Sequence, residues 1–306
     1  MSATLSHVKA KPLHLNDDTT VEDAFSAMVS ACLRHAEANR PAVLDGQIEG
    51  VHQMRVAFRR LRSGLKIFRP RIPRMASAEL VEEIRWLNGW LGPARDWDVF
   101  LEEGLTPVFS RFPRKRGLLL FRGKAERLRR NHHQALQAAL TEPRYPLLLQ
   151  RFADWLDRRA WRQDLSDAQQ EALVEPALAF ATPLLERDLR RVIKQGEAFA
   201  ELSDEKRHQL RIRIKELRYA LDFFASLYPA PAVKAYLGAL SALQDCLGIM
   251  NDIAVARRLL DEAQLTTASA ARQVIEGWYG CRLETHECQF AAIWRRFTEC
   301  DPPWQS

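Results

Sequence analysis

The 306-residue chain lacks the long apolar run that a membrane span requires. A transmembrane helix needs about 18 or more consecutive apolar residues, and no segment approaches that length. Residues 1–16 have no apolar central region, so they do not resemble a secretory signal. From these absences we expect neither a membrane span nor a secretory signal, and we expect a cytoplasmic protein.

Cysteine is also scarce, with five residues in the chain and no Cys-x-x-Cys pair. An odd number without such spacing is typical neither of a disulfide framework nor of a zinc site. The expected state is therefore buried free thiols.

Catalytic motifs are missing as well. There is no phosphate-binding P-loop, no Gly-x-Ser-x-Gly and no Glu-x-Glu-x-Lys row. His132 and His133 have no nearby carboxylate or cysteine pattern suited to zinc. We therefore expect no catalytic residues, no cofactor and no metal site, and a protein that is not an enzyme.

The sequence has no sustained alternation of apolar and polar residues, which excludes most β folds. Apolar residues instead recur at helical spacing, in runs separated by proline and glycine. The predicted class is all-α. The predicted helices lie near 20–38, 48–68, 77–91, 96–110, 115–140, 145–160, 170–199, 204–227, 232–248, 251–263 and 268–298.

The strongest positive feature is an internal repeat at an ungapped offset of 156 residues. Residues 52–68 read HQMRVAFRRLRSGLKIF, and residues 208–224 read HQLRIRIKELRYALDFF. Apolar and basic positions both match across the offset. The repeat predicts one domain over 18–306, built from two antiparallel helical bundles over about 18–150 and 170–306 and related by a pseudo-twofold axis. Residues 1–17 are predicted to be a flexible segment.

Each copy of the repeat carries a stripe of cations along one helix face. On an α-helix the basic positions of residues 52–68 fall within an arc of roughly 80°. A solvated face is the usual interpretation of a basic helix, but such faces normally alternate in sign, because like charges at i,i+4 repel. No acidic residue occurs from Val51 to Ala78. Arginine-rich stripes suit bidentate contact with phosphate oxygens, so an anionic ligand is the favoured interpretation.

These stripes, followed by LNGWLGPARDWDV and LQDCLGIMNDIAV, resemble the paired signatures of the CHAD (conserved histidine α-helical domain) family. The resemblance extends from about Thr20 to Trp304. It implies two four-helix bundles around a basic cavity that binds inorganic polyphosphate, and it implies the standalone form of the domain. It also implies association with polyphosphate granules, where some bacterial members are found.

The resemblance assigns polyphosphate contacts to both stripes. These residues are His52, Arg55, Arg59, Arg62, Lys66, His208, Arg211, Lys215 and Arg218. A supporting set adds Arg60 and Arg213, and from a second basic helix Lys124, Arg127, Arg130 and His133. For that second helix, a solvated face and a ligand-facing face are equally good interpretations.

The second stripe is an imperfect copy. Glu216 stands where Arg60 does, and Asp222 stands where Lys66 does, which predicts weaker binding by the second half. Asp96 and its counterpart Asp252 follow glycine turns, and we expect each to cap a helix or to orient an arginine by a salt bridge.

Two other functions remain open on the sequence alone. A nucleic-acid binder would also carry basic stripes, although these stripes show few aromatic residues for base stacking. A phosphohydrolase or phosphotransfer enzyme could use the repeated histidines. Chain-length preference and oligomeric state have no signature in the sequence.

Overall fold

The computed structural model describes residues 6–163 and 165–305, and the fold over these residues is all-α, as predicted. No β-strand forms within them, although Thr20 and Pro176 make an isolated β-bridge. The α-helices are α1 (Val21–Leu44), α2 (Ile48–Ile67), α3 (Ala78–Val99), α4 (Thr106–Arg111), α5 (Arg116–Thr141), α6 (Arg144–Asp157), α7 (Asp167–Glu171), α8 (Ala177–Gly196), α9 (Asp204–Phe223), α10 (Ala230–Glu262) and α11 (Ala270–Thr298).

The helices repeat along the chain as the sequence does. The 156-residue offset carries the first residue of α1 onto that of α8, and both ends of α2 onto those of α9. It also places α3 inside α10 and α5 inside α11. In the first half α2 packs on α1 and α3, and in the second half α9 packs on α8 and α10. The duplication therefore preserves the arrangement of helices as well as their order.

The apolar face of α2 explains why this charged segment folds as a helix against its neighbours. Met54, Phe58 and Leu61 recur at helical spacing and are all completely buried. Burial of side chains of this size stabilises the folded state by about 1.5–3 kcal/mol each. The cations occupy the remaining face and are held in place by the core beneath them.

Two predicted helix breaks are wrong. Helix α3 continues through Gly92 and Pro93, and α10 continues through Gly248 as a single helix of 33 residues. Tertiary packing overrides local propensity at these places, since buried residues flank each glycine. Gly92 serves a packing purpose, because a Cβ there would lie 3.0 Å from a terminal nitrogen of Arg55.

A turn of π-helix from Phe100 to Leu105 follows α3. Such wide turns are rare and often occur at functional sites. The phenol of Tyr279 on α11 lies directly against Gly104 in this turn, where a larger side chain would collide with it. The Phe100 and Tyr279 rings are stacked with centroids 6.4 Å apart. The turn thereby ties the first half of the chain to α11.

The two halves share their hydrophobic interior. One core cluster contains residues from both halves, among them the Phe68 and Phe224 rings, whose centroids lie 5.7 Å apart. A second cluster joins the end of α3, the π-helical turn and α5 to α10 and α11. The basic helices α2 and α9 also pack directly against each other between the halves.

Residues 6–17 differ from the flexible segment that was predicted over 1–17. Leu13 and Leu15 are buried, and the backbone N–H of Leu15 donates to Ser226 Oγ at 2.7 Å. The Val8 N–H donates to the side-chain oxygen of Asn39 at 2.9 Å. Two apolar side chains in a polar stretch are enough to anchor it to both halves. Residues 1–5 lie outside the described residues.

All five cysteines are free thiols, as expected from their spacing. Cys32 and Cys246 are buried, but Cys281 and Cys288 are exposed, so the prediction of burial is wrong for those two. No helix within the described residues is both long enough and apolar enough to traverse a bilayer.

Candidate functional site

Helices α2 and α9 pack antiparallel, and two crossed ion pairs join them. Arg60 pairs with Asp222, and Lys66 pairs with Glu216. The pattern is reciprocal. Glu216 is the repeat counterpart of Arg60 and Asp222 is that of Lys66, so each cation of α2 contacts the counterpart of the other. This is the arrangement that a twofold axis between repeated helices produces. The two acidic departures from the repeat therefore neutralise first-half cations across the interface between the halves.

A basic cavity of about 420 Å³, which we call the main cavity, opens beside this interface. Both halves line it, together with the π-helical turn. Its arginine and lysine side chains are Arg55, Arg59, Arg62, Arg95, Arg211, Lys215 and Arg282, and its carboxylates are Asp96, Glu103 and Asp252. Seven cations against three carboxylates leave an excess of positive charge.

A second cavity of about 350 Å³ continues the basic surface along α2 and α9. It has four cations in common with the main cavity, two from each half of the chain. These bridging cations are Arg59, Arg62, Arg211 and Lys215. The two cavities therefore form a continuous cationic surface, with the bridging cations where they meet.

Arg59, one of the bridging cations, is incompletely hydrogen-bonded. Arg59 is half-buried, its Nε atom has no hydrogen-bond partner within the described residues, and its guanidinium lies over the Tyr219 ring at 5.8 Å. A buried polar donor without a partner is costly in a folded protein. Because Arg59 lines both cavities, its guanidinium is a candidate donor to an anion bound there.

Each half of the main cavity contains an arginine opposed by an aspartate at matching positions. Arg55 Nη2 lies 3.5 Å from Asp96 Oδ1, and burial lowers the pKa of Arg55 while Asp96 opposes that shift. Burial likewise lowers the pKa of Arg211, and Asp252 opposes it. The expectation of arginine-orienting aspartates is confirmed for Asp96, but neither aspartate caps a helix, since both lie within one.

Lys215 is the most perturbed cation of the site. Burial, followed by repulsion from Arg59 and Arg211, lowers its pKa to about 7. Arg62 and Arg55 add to the repulsion. At neutral pH the ammonium is thus partly deprotonated in the free protein. A strongly shifted lysine in a cavity is typical of a functional site, because a bound anion would restore the charged form.

His52 lines the main cavity and has a lowered pKa. Burial is the first cause and repulsion from Arg95 the second, while Glu49 opposes both. The imidazole is therefore mainly neutral at pH 7 in the free protein. A neutral imidazole can donate one hydrogen bond to a phosphate oxygen and can gain a proton when an anion arrives.

Six of the nine predicted stripe residues line the main cavity: His52, Arg55, Arg59, Arg62, Arg211 and Lys215. Lys66 lines the second cavity, where Glu216 neutralises it. His208 is exposed and lies in a separate, largely apolar pocket. Arg218 lines neither basic cavity and packs over the Tyr219 ring at 5.4 Å. The repeat predicts that matching residues of α2 and α9 have equivalent surroundings, but His208 and Arg218 on α9 lie outside the basic cavities.

The supporting set is not placed in either basic cavity. Arg60 is neutralised by its ion pair with Asp222. Arg213 is exposed, and its nearest hydrogen-bond acceptor is the Arg191 backbone oxygen at 3.4 Å.

Helix α5 presents its basic residues elsewhere. Arg127 and Arg130 are exposed, and Lys124 is half-buried, but none of the three lines the main or the second cavity. His133 is buried, with its Nε2 2.9 Å from Asp98 Oδ1, and so bonds α5 to α3. The solvated-face interpretation is the one that fits the arginines of this helix.

Several cavity cations were missed by the sequence reasoning. They are Arg95 and Arg282 in the main cavity, and Arg69, Arg74 and Arg85 in the second. Arg69 and Arg74 lie in the acid-free stretch from Val51 to Ala78, which is a signal that could have identified them. Arg95 and Arg282 have no repeated partner, so the offset of 156 gave no indication of them.

Within the residues that the structure describes, no group of three or more His, Cys, Asp or Glu side chains is arranged to hold a metal ion. The main cavity instead offers arginine and lysine donors, a neutral imidazole and the amide side chains of Asn88 and Asn251. These groups can bind an anion by charge-assisted hydrogen bonds.

Comparisons with known proteins agree with the family resemblance of the sequence motifs. The family model described as the CHAD domain matches residues 27–261. The crystal structure of the CHAD domain from the plant Ricinus communis aligns with a TM-score of 0.81 at 32% sequence identity, covering 97% of this chain and 98% of that chain. PptA from Streptomyces chartreusis aligns with a TM-score of 0.63 at 16% identity, covering 90% of this chain and 100% of that chain, which is a likeness of fold alone. No curated protein matches the sequence.

Proposed function

This chain belongs to the CHAD domain family, and on that premise we propose that it binds inorganic polyphosphate along the main and second cavities without turning it over. The observation that carries the proposal is the group of four bridging cations, contributed equally by the two halves and shared by both cavities. A linear polyanion has one negative charge per phosphate and can contact successive cations along such a surface.

The physical advantage of this ligand is relief of repulsion. Burial, and then repulsion from neighbouring arginines such as Arg59 and Arg211, lowers the pKa of Lys215 to about 7. Phosphate oxygens placed between these groups convert repulsion into charge-assisted hydrogen bonds, each contributing about 1.5–3 kcal/mol. Binding of long chains would also attach the protein to polyphosphate granules.

The test is the affinity for long-chain polyphosphate of the wild type and of the double variant Arg59→Ala with Arg211→Ala. We expect a loss of about 100-fold, because one charge-assisted contact is removed from each half. The salt dependence of binding should also become shallower, since fewer counterions are released.

The matched control is Arg295→Ala with Arg296→Ala, which removes the same charge from exposed positions on α11. We expect its affinity to stay within about threefold of the wild type. Equal losses in the two double variants would mean that net charge alone drives binding, which would overturn the site.

Two further measurements separate the proposal from its rivals. If duplex DNA or RNA displaces polyphosphate at equal phosphate concentration, the protein is a general polyanion or nucleic-acid binder. If phosphate is released from polyphosphate, and the release is lost in His52→Ala, the protein is an enzyme and the binding-only proposal is wrong.

A further inference from the structure

A mainly apolar pocket of about 430 Å³ adjoins the main cavity and has no part in the proposed function. It lies between the first turns of α9 and the facing sides of α10 and α11, and we call it the apolar pocket. Its apolar wall includes Met250, Ile253, Leu260, Ile275 and Leu283. The volume and the mainly apolar lining are those of pockets that hold small organic molecules.

The apolar pocket and the main cavity share an edge. Asn251 and Tyr279 line both of them. A molecule with its anionic part among the cations of the main cavity can therefore extend past this edge into apolar surroundings. The ligand that suits the pair of sites has phosphates at one end and a partly apolar group at the other.

The polar side chains of the apolar pocket indicate the chemical class of the partly apolar part of the ligand. Asp204, His208, Arg257 and Glu276 contribute acceptors as well as donors to its lining. Glu276 is already paired with Arg272. An alkyl chain would, however, displace water from Asp204, His208 and Arg257 without offering them a partner, at a cost in binding free energy. A nucleobase has flat faces that pack against Met and Leu side chains and an edge that carries both donors and acceptors.

We propose that the apolar pocket holds the base of a nucleoside polyphosphate whose phosphates occupy the main cavity. The inference rests on the proposed function, because it uses the same cations for the phosphates. It also gives His208 a place, as a hydrogen-bonding partner for the base.

Gly280 on α11 offers a direct test of this arrangement. It lines the apolar pocket, and a Cβ placed on it would meet no atom within 4 Å. Gly280→Leu therefore adds an apolar side chain at the pocket lining without a clash at its Cβ. Gly277 lies on the same helix with equally open surroundings but does not line the pocket, so Gly277→Leu is the matched control.

The experiment measures binding of ATP, inorganic tripolyphosphate and long-chain polyphosphate to the full chain by calorimetry in magnesium-free buffer. Tripolyphosphate has at least as many negative charges as ATP, so a preference for ATP can come only from the nucleoside. We expect the wild type to bind ATP about tenfold more tightly than tripolyphosphate. Gly280→Leu should abolish that preference and leave tripolyphosphate affinity within about twofold, while Gly277→Leu should change neither.

The outcomes are separable. Equal affinity of the wild type for ATP and tripolyphosphate, or equal effects of the two glycine variants on ATP binding, would overturn the inference. Binding of long-chain polyphosphate without binding of ATP would also overturn it and would leave the proposed function standing. Absence of binding by all three would refute the proposed function, and the inference with it.

Discussion

The two basic helices have nearly the same sequence pattern but different surroundings. Helix α2 contributes His52, Arg55, Arg59 and Arg62 to the main cavity, whereas α9 contributes only Arg211 and Lys215. The remaining α9 residues of the pattern turn to the apolar pocket or to the Tyr219 ring. A repeated motif thus specifies which side chains are available, and the packing of each helix decides which of them share a cavity.

Charge makes the contrast between the helices sharper. The acidic residues of α9 neutralise the cations of α2, and Lys215 stands where α2 has Arg59. Arginine stays charged at any ordinary pH, but Lys215 has a pKa of about 7. At this matched position the first half therefore has a permanent charge and the second half a titratable one.

The largest expected effect comes from reversing one crossed pair. Arg60→Asp places two acids together at a contact where the Arg60 side chain is only 12% exposed. We expect the free energy of unfolding to fall by about 2 kcal/mol, less than for a fully buried pair because Asp222 is partly solvated. Urea unfolding measures the loss.

The exchange variant Arg60→Asp with Asp222→Arg should recover most of that stability, because it restores opposite charges. The more exposed pair supplies a comparison, since Lys66→Glu should cost only about 0.5 kcal/mol. If the exchange variant is as unstable as Arg60→Asp alone, the pair does not hold the halves together.

The next effect concerns pH. A bound polyanion raises the pKa of Lys215, so binding takes up a proton above pH 7. Polyphosphate affinity should therefore be highest below about pH 7 and fall by up to about tenfold per pH unit above it. Calorimetry between pH 6 and pH 9 in buffers of different ionisation enthalpy detects both the loss and the proton uptake.

Lys215→Arg makes the second half resemble the first at this position. The fall in its affinity above pH 7 should be much shallower, because arginine does not titrate there and His52 remains as the histidine of the main cavity that can still take up a proton. A fall in affinity as steep as that of the wild type would assign the pH dependence to another group.

The smallest effect distinguishes the two histidines. His52→Ala should weaken polyphosphate binding about fivefold, because it removes a hydrogen-bond donor from the main cavity. His208→Ala should stay within about twofold, since His208 lies in the apolar pocket. Equal losses in the two variants would show that the helices are functionally equivalent despite their different surroundings.

Much of the fold was predictable because helical periodicity and the repeat act together. The ends of α2 and α9 match across the offset, as the aligned motifs indicate. The continuity of α3 and α10 was not predictable, because glycine and proline signal breaks locally, while their tolerance here depends on packing against distant helices. Close approach of Arg55 to Gly92 is such a contact.

The candidate site was predictable in part for a related reason. Helical spacing places cations on one face, but it does not say whether that face meets a cavity or another charged helix. Arg59 and Arg60 are adjacent in sequence, yet one lines both cavities and the other is paired with Asp222. Only the position of the opposite half distinguishes them.

The crossed pairs also limit which halves can associate. Two copies of the first half, joined in the same geometry, would bring Arg60 against Lys66 twice, and two second halves would bring Glu216 against Asp222 twice. Both assemblies would repel at these contacts, and only one half of each kind gives attraction. These charges therefore favour packing of a first half against a second half over packing of two identical halves during folding.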